Sequence, residues 1–236
     1  MSYFKLFGIA AAFLLPAQSY ALDPSYSFRG IQLGDGALQA EAKARQQFDR
    51  VEVENMFGEY VTVTAGDTEG FKLMRTNCPI AAPFHLRPNC LRAAFSTGRD
   101  GKIDKVQFIR ATQSFNSAVP LDVFLARLND TYGTPRASYK NNQNKFKLAV
   151  TEHTLLWGGT KIPSDYSQST IPADDFALIG GRFISIQINI SGTEVIGYEL
   201  RIADAEKIQK AKEEARIQHN LDAERAKKNS AYSVKF

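Results

Sequence analysis

Ile184, Ile186, Ile188 and Ile190 alternate with Ser185, Gln187 and Asn189, and the alternation resumes at Ile196, Tyr198, Leu200 and Ile202 after Ser191-Gly192-Thr193. A period of two gathers the apolar members of each run on one face, so these segments predict a hairpin of half-buried antiparallel strands. Shorter runs of the same kind lie upstream. Val51 and Val53 alternate with carboxylates, and Val61 and Val63 with threonines, ahead of a turn at Gly66-Asp67-Thr68-Glu69-Gly70. Phe71 to Arg75 is then expected to return as a partner strand. Leu91 to Ser96 and Ile103 to Arg110 flank Asp100-Gly101, a dipeptide suited to a tight hairpin turn. Ala137 to Lys140 and Phe146 to Trp157 read as two further strands about a polar Asn141-Asn142-Gln143-Asn144 turn.

Two segments switch to the helical period. Leu121, Phe124, Leu125, Leu128 and Tyr132 form one stripe, with Pro120 at the first helical position and Asp122 in the first turn. Gly133 and Pro135 end it. A shorter helix is expected from a cap at Asp35 to about Phe48, with Ala37, Ala40, Ala44 and Phe48 on one side. Each helix precedes a set of antiparallel strands whose apolar face it can cover. The fold class is therefore α+β, with two similar halves at 22–112 and 113–203.

Gly30-Ile31-x-Leu33-Gly34 entering a helix, Gly101-Lys102-Ile103 leading to Val106 and Phe108, and Tyr132-Gly133-x-Pro135 closing a helix carry a resemblance. The pattern over about residues 28 to 203 resembles exported bacterial envelope proteins with tandem αβ repeats, the β-lactamase-inhibitor-like and outer-membrane assembly-lipoprotein-like folds. That resemblance implies a module that binds another envelope or secreted protein and carries no active site. The lipid-anchored members begin at a cysteine, which this chain lacks near residue 21.

The ends of the chain read differently. Lys5, the apolar run Leu6 to Leu15, Pro16 and the small residues Ser19 and Ala21 have the order of a secretory signal peptide covering residues 1–21. Ten apolar residues rise about 15 Å as a helix, too little to span a bilayer core of roughly 30 Å. Cleavage near Ala21 would deliver the protein to the periplasm or the exterior, with no stable membrane span. Residues 204–236 form a charged helical tail with Glu206–Lys210 and Glu224–Lys228 at favourable i, i+4 spacing. The last residues, Tyr232, Val234 and Phe236, alternate in a way that would suit a strand added to a partner's sheet.

Charge and chemistry narrow the functions further. The 29 Lys and Arg nearly cancel 25 Asp and Glu, which argues against a nucleic-acid surface. Cys78 and Cys90, outside the cytoplasm, are expected to form a disulfide. Zinc is the rival for that pair, with His85 between them, yet three ligands fall short of a closed tetrahedral site. The chain has no Gly-x-Ser-x-Gly elbow, no His-Glu-x-x-His and no complete dinucleotide loop, and its three histidines are dispersed. A non-catalytic protein without cofactor or metal is expected. The alternative is a hydrolase or small-ligand binder around His153 and Trp157.

Two segments stand out as binding surfaces. The cysteine loop holds Pro79, Pro83 and Pro88 around Phe84, His85 and Arg87. Its rigidity would reduce the entropy lost on docking, and Phe and Arg are effective anchors. The second is the long polar excursion Gly158 to Asp174, in which Tyr166 is the large contact residue.

Overall fold

The computed structural model describes residues 25–56, 60–69, 78, 89–97, 105–145, 148–168 and 172–233. A small hairpin, β1 (Ser27–Phe28) and β2 (Ile31–Gln32), leads into α1 (Ala37–Gln47). Four strands follow: β3 (Arg50–Met56), β4 (Tyr60–Gly66), β5 (Cys90–Thr97) and β6 (Val106–Pro120). Helix α2 (Leu121–Tyr132) precedes β7 (Ala137–Lys145) and β8 (Leu148–Gly158), then α3 (Pro172–Ile179), β9 (Arg182–Ser191) and β10 (Glu194–Asp204). A long helix, α4 (Ala205–Ser233), closes the chain. The protein is thus α+β with a charged C-terminal helix.

The eight strands β3 to β10 make one antiparallel sheet in the order β3-β4-β5-β6-β10-β9-β8-β7. Residues either side of the expected boundary at 112/113 share β6, and the central β6–β10 pair joins everything before α2 to everything after it. A bulge between Val195 and Gly197 shifts the register of β10 against both neighbours.

The alternations of the central strands line up as rows of the core, whereas Val53 on the edge strand β3 is exposed. Phe95, Ile109, Ile202, Ile184 and Trp157 are successive cross-strand neighbours, all 2% exposed or less. Helix α1 lies against β3 and β4, and α2 against β6 and β10, so this first face of the sheet is covered by Ala40, Ala44, Phe48, Phe124 and Tyr132. Burying a side chain of this size contributes about 1.5–3 kcal/mol. The second face carries its own smaller cluster of Leu156, Tyr166, Phe176, Ile179, Phe183, Ala203 and Ala205.

Several local expectations are corrected. Asp35 does not cap α1, whose N-cap is Gly36 without a side-chain bond. The Asp35 carboxylate is buried and accepts the Gln32 N–H at 2.9 Å and Lys43 Nζ at 2.7 Å, fastening the β2–α1 turn. The asparagine run 141–144 is strand rather than turn, because β7 pairs with β8 through Asn144–Ala149 and Lys145–Leu148. The excursion after β8 contains helix α3, and the sheet is covered on parts of both faces rather than one. The expected Phe71–Arg75 strand and the Asp100-Gly101 turn lie outside the described residues.

Helix α4 packs at its start, through Ala205, Ile208 and Ala211, and residues 216–228 are exposed. Tyr232 belongs to α4, and residues 234–236 lie outside the described residues. No helix among the described residues is long and apolar enough to cross a membrane.

Candidate functional site: the polar face of the sheet

In a strand, neighbours point to opposite faces, so the polar members of the isoleucine hairpin must share the second face with the polar members of β5, β6 and β8. Directly across the central strand pair, Arg110 opposes Arg201 and Thr112 opposes Glu199. On the far side of β10, Ser185 opposes Arg201 and Gln187 opposes Glu199. Thr154 follows on β8, opposite Gln187.

Glu199 holds both arginines. Its Oε1 accepts Arg110 Nε at 3.0 Å, Arg201 Nε at 2.9 Å and Arg201 Nη2 at 2.7 Å, while Oε2 accepts Arg110 Nη2 at 3.2 Å. Arg201 also donates Nη1 to Asp175 of α3, and both side chains of that pair are sealed, at 2% and 0% exposure. Burial by itself would lower the guanidinium pKa, but Glu199 and Asp175 outweigh it and the net shift is upward. Charge-assisted, forked bonds of this kind fix geometry as well as adding energy.

The segment between β8 and β9 lies over this floor. Tyr166 is buried, with its hydroxyl 3.2 Å from Ser185 Oγ and its ring edge-on to Tyr139 at 5.8 Å. Burial is the main cause that pushes the Tyr166 phenol well above its ordinary value, followed by the charge of Asp175. Gln168 donates Nε2 to Ser185 O at 2.9 Å and Ser185 Oγ at 2.8 Å. Tyr166, expected as the large contact residue of this segment, is buried: its ring is sheltered by Tyr139 and its hydroxyl lies beside Ser185.

The two ends of the segment close on each other. Gly159 N–H donates to Arg182 O at 2.7 Å and Lys161 N–H to Ile179 O at 2.8 Å. A Cβ on Gly159 would stand 2.5 Å from Ile179 Cγ2 at a φ of +76°, and one on Gly180 would stand 2.5 Å from Thr160 Oγ1. Glycine is required at this neck for both space and backbone conformation. Residues 160–168 and 172–179 thus form a flap with a closed neck, held to the sheet through Asp175, Tyr166 and Gln168.

Toward β4 and β5 the second face is more open. Thr62, Ala94, Ser96 and Arg110 are all partly exposed although they sit on strands flanked on both sides, while Phe108 meets Phe176 of the flap edge-on at 5.4 Å. Cys90 belongs to the same face and is bonded to Cys78, their Cα atoms 5.7 Å apart and both residues buried. Phe84, His85 and Arg87 lie outside the described residues.

His153 points to the first face, beside Ser138 of the edge strand β7. Ser138 Oγ is 2.8 Å from His153 Nε2, a distance a nucleophile and its base would need. Among the described residues no acceptor meets the buried Nδ1, and the adjacent Glu152 occupies the opposite face. Burial, then the charge of Lys140, hold the His153 pKa below its ordinary value. Trp157 is taken up by structure: Nε1 donates to Gly133 O at 2.8 Å and the ring packs 5.7 Å from Tyr132. Among the described residues no three His, Cys, Asp or Glu side chains are placed to hold a metal ion.

Arg110, Glu199, Arg201, Asp175 and Gln168 were not singled out from the sequence. Their signal was present only as charged residues in the polar positions of β6 and β10, and nothing local links Arg110 to a carboxylate 89 positions away. Compared with protein-family models, curated proteins and solved structures, the chain matches none.

Proposed function

We propose that the protein is an exported, non-catalytic module that binds another envelope or secreted protein. The observation that carries this reading is the second face of the sheet. Half of it is occupied by the chain's own flap, and the other half offers partly exposed polar groups on a rigid, hydrogen-bonded floor. Such a surface has little entropy to lose on docking. The Cys78–Cys90 disulfide stands at one end of that face, and Phe84, His85 and Arg87, between the two cysteines in sequence, are proposed as contact residues. The unfixed His153 tautomer and the opposed Glu152 support the non-catalytic half of the reading.

The test is affinity capture from envelope extract, with the identified protein then purified and recombined with wild type and with a Phe84→Ala, Arg87→Ala variant. A stoichiometric complex weakened in the variant is the expected outcome. Failure of any purified candidate to recombine overturns the reading. The Ser138–His153 contact favours a second reading, hydrolysis or small-ligand binding near His153 and Trp157. An esterase panel against wild type and Ser138→Ala tests it, with hydrolysis lost in the variant as its only supporting result.

A further inference from the structure

Arg110 and Arg201 face each other across β6 and β10 on the same side of the sheet, and each turns Nε and Nη2 toward Glu199. Their remaining nitrogens differ. Arg201 Nη1 is capped by the Asp175 carboxylate of the flap, whereas Arg110 Nη1 has no polar partner among the described residues. The exposures follow: 2% for the Arg201 side chain and 29% for that of Arg110. One carboxylate, Glu199, therefore serves two guanidinium groups, and only one of the two has a second anion. The flap is an intramolecular example of what this floor accepts: a carboxylate on the outer nitrogen of an arginine, brought by a segment that lies across the strands.

We propose that Arg110 receives a carboxylate from an acidic segment of a partner protein, which docks on the β4–β6 part of the second face as Asp175 docks on Arg201. The proposal rests on the protein-binding reading above and names its chemistry. Space is available, because the residue beside Arg110 on β5 is Ala94, small and partly exposed. Beyond it Ser96 and Thr62 present hydroxyls 3.2 Å apart that can meet the segment's backbone. Glu52 and Glu54 lie three strand spacings off on the edge strand β3, about 14 Å from Arg110. They repel an acidic segment crossing toward that edge and so favour one running along β5 and β6.

The test selects binders from a random-peptide display library on the full chain with its disulfide formed. Synthetic copies of the selected peptides are then measured by fluorescence anisotropy against wild type, Arg110→Gln and Arg110→Lys. The expected result is enrichment of Asp or Glu, and binding at least about tenfold weaker to Arg110→Gln, since truncating one partner of a hydrogen-bonded charge pair costs that much or more. Exchanging the key acid for its amide should weaken binding to wild type and change little against Arg110→Gln. Arg110→Lys, which keeps the charge and loses the fork, should fall between and serves alone if Arg110→Gln does not fold. Peptides that bind Arg110→Gln as tightly as wild type, or that lack acids, overturn the carboxylate site and leave protein binding standing. No binder at all overturns both.

Discussion

Asp175→Ala tests whether the flap is held to the sheet by charge. The substitution leaves Arg201 Nη1 without a partner in a place where the side chain is 2% exposed and water cannot replace the lost carboxylate. Removing one member of a buried pair costs about 3–5 kcal/mol. Arg201 keeps Glu199 at 2.9 and 2.7 Å, so the low end applies, about 3 kcal/mol. In a domain of this size that corresponds to a Tm lower by about 6–12 °C. Urea denaturation followed by tryptophan fluorescence measures the free energy directly, because Trp157 is the one tryptophan and lies in the main core. Asp175→Asn keeps an acceptor oxygen and should cost about half as much. The double variant Asp175→Leu, Arg201→Met removes both charges and should recover most of the loss, since apolar replacements of buried pairs are often near neutral. An Asp175→Ala protein within about 0.5 kcal/mol of wild type would refute the argument, and so would a double variant no better than the sum of the singles.

Reducing the Cys78–Cys90 bond, or replacing both residues with Ser, should lower stability by about 3 kcal/mol in denaturant titration, the loop-entropy value for a ring of this size. Gly159→Ala should destabilise by more than about 1 kcal/mol, because the added methyl meets Ile179 and the backbone sits at positive φ; Thr160→Ala, which tests the neck without strain, should cost less. For His153 the folded pKa is lowered, so the unfolded state binds the proton more readily. Its contribution is present above the unfolded pKa near 6.5 and is lost as pH falls through the lower folded value, and His153→Gln should flatten that part of a stability–pH profile. Trp157→Phe should lose about 1 kcal/mol with the bond to Gly133 O, read as a shift in the urea midpoint by circular dichroism.

What could be read in advance was what is local. The isoleucine hairpin and the Leu121 to Tyr132 stripe are each encoded within about a dozen residues, and both appear as β9, β10 and α2 at nearly the expected bounds. The misreadings have separate causes. Asn141 to Asn144 have the composition of a turn, yet their neighbour β8 supplies a continuous ladder, and pairing outweighs intrinsic preference at a sheet edge. Helix α3 has eight residues and follows a polar stretch, too short for a helical period to stand out. The polar face escaped notice for a stronger reason. Serine, glutamine, glutamate and arginine between isoleucines look like a solvated side, and only the flap folding back from the β8–β9 connection turns them into a buried floor.

That floor also bears on why the sheet keeps charge where an apolar face would be more stable. A cluster of two arginines and two carboxylates contributes little net stability against its desolvation cost. What it does supply is direction. An apolar flap could settle on the sheet in several registers, whereas Asp175 on Arg201 and Gln168 on Ser185 allow one. The same groups extend past the flap's edge as Arg110 and the exposed side of Glu199, so the rule that seats the flap continues onto open surface. Under the proposed docking, a partner would be selected by where its carboxylate falls, and a neutral segment of the same shape would leave Arg110 Nη1 unmet. The charge that adds least to folding is then the charge that would discriminate between partners.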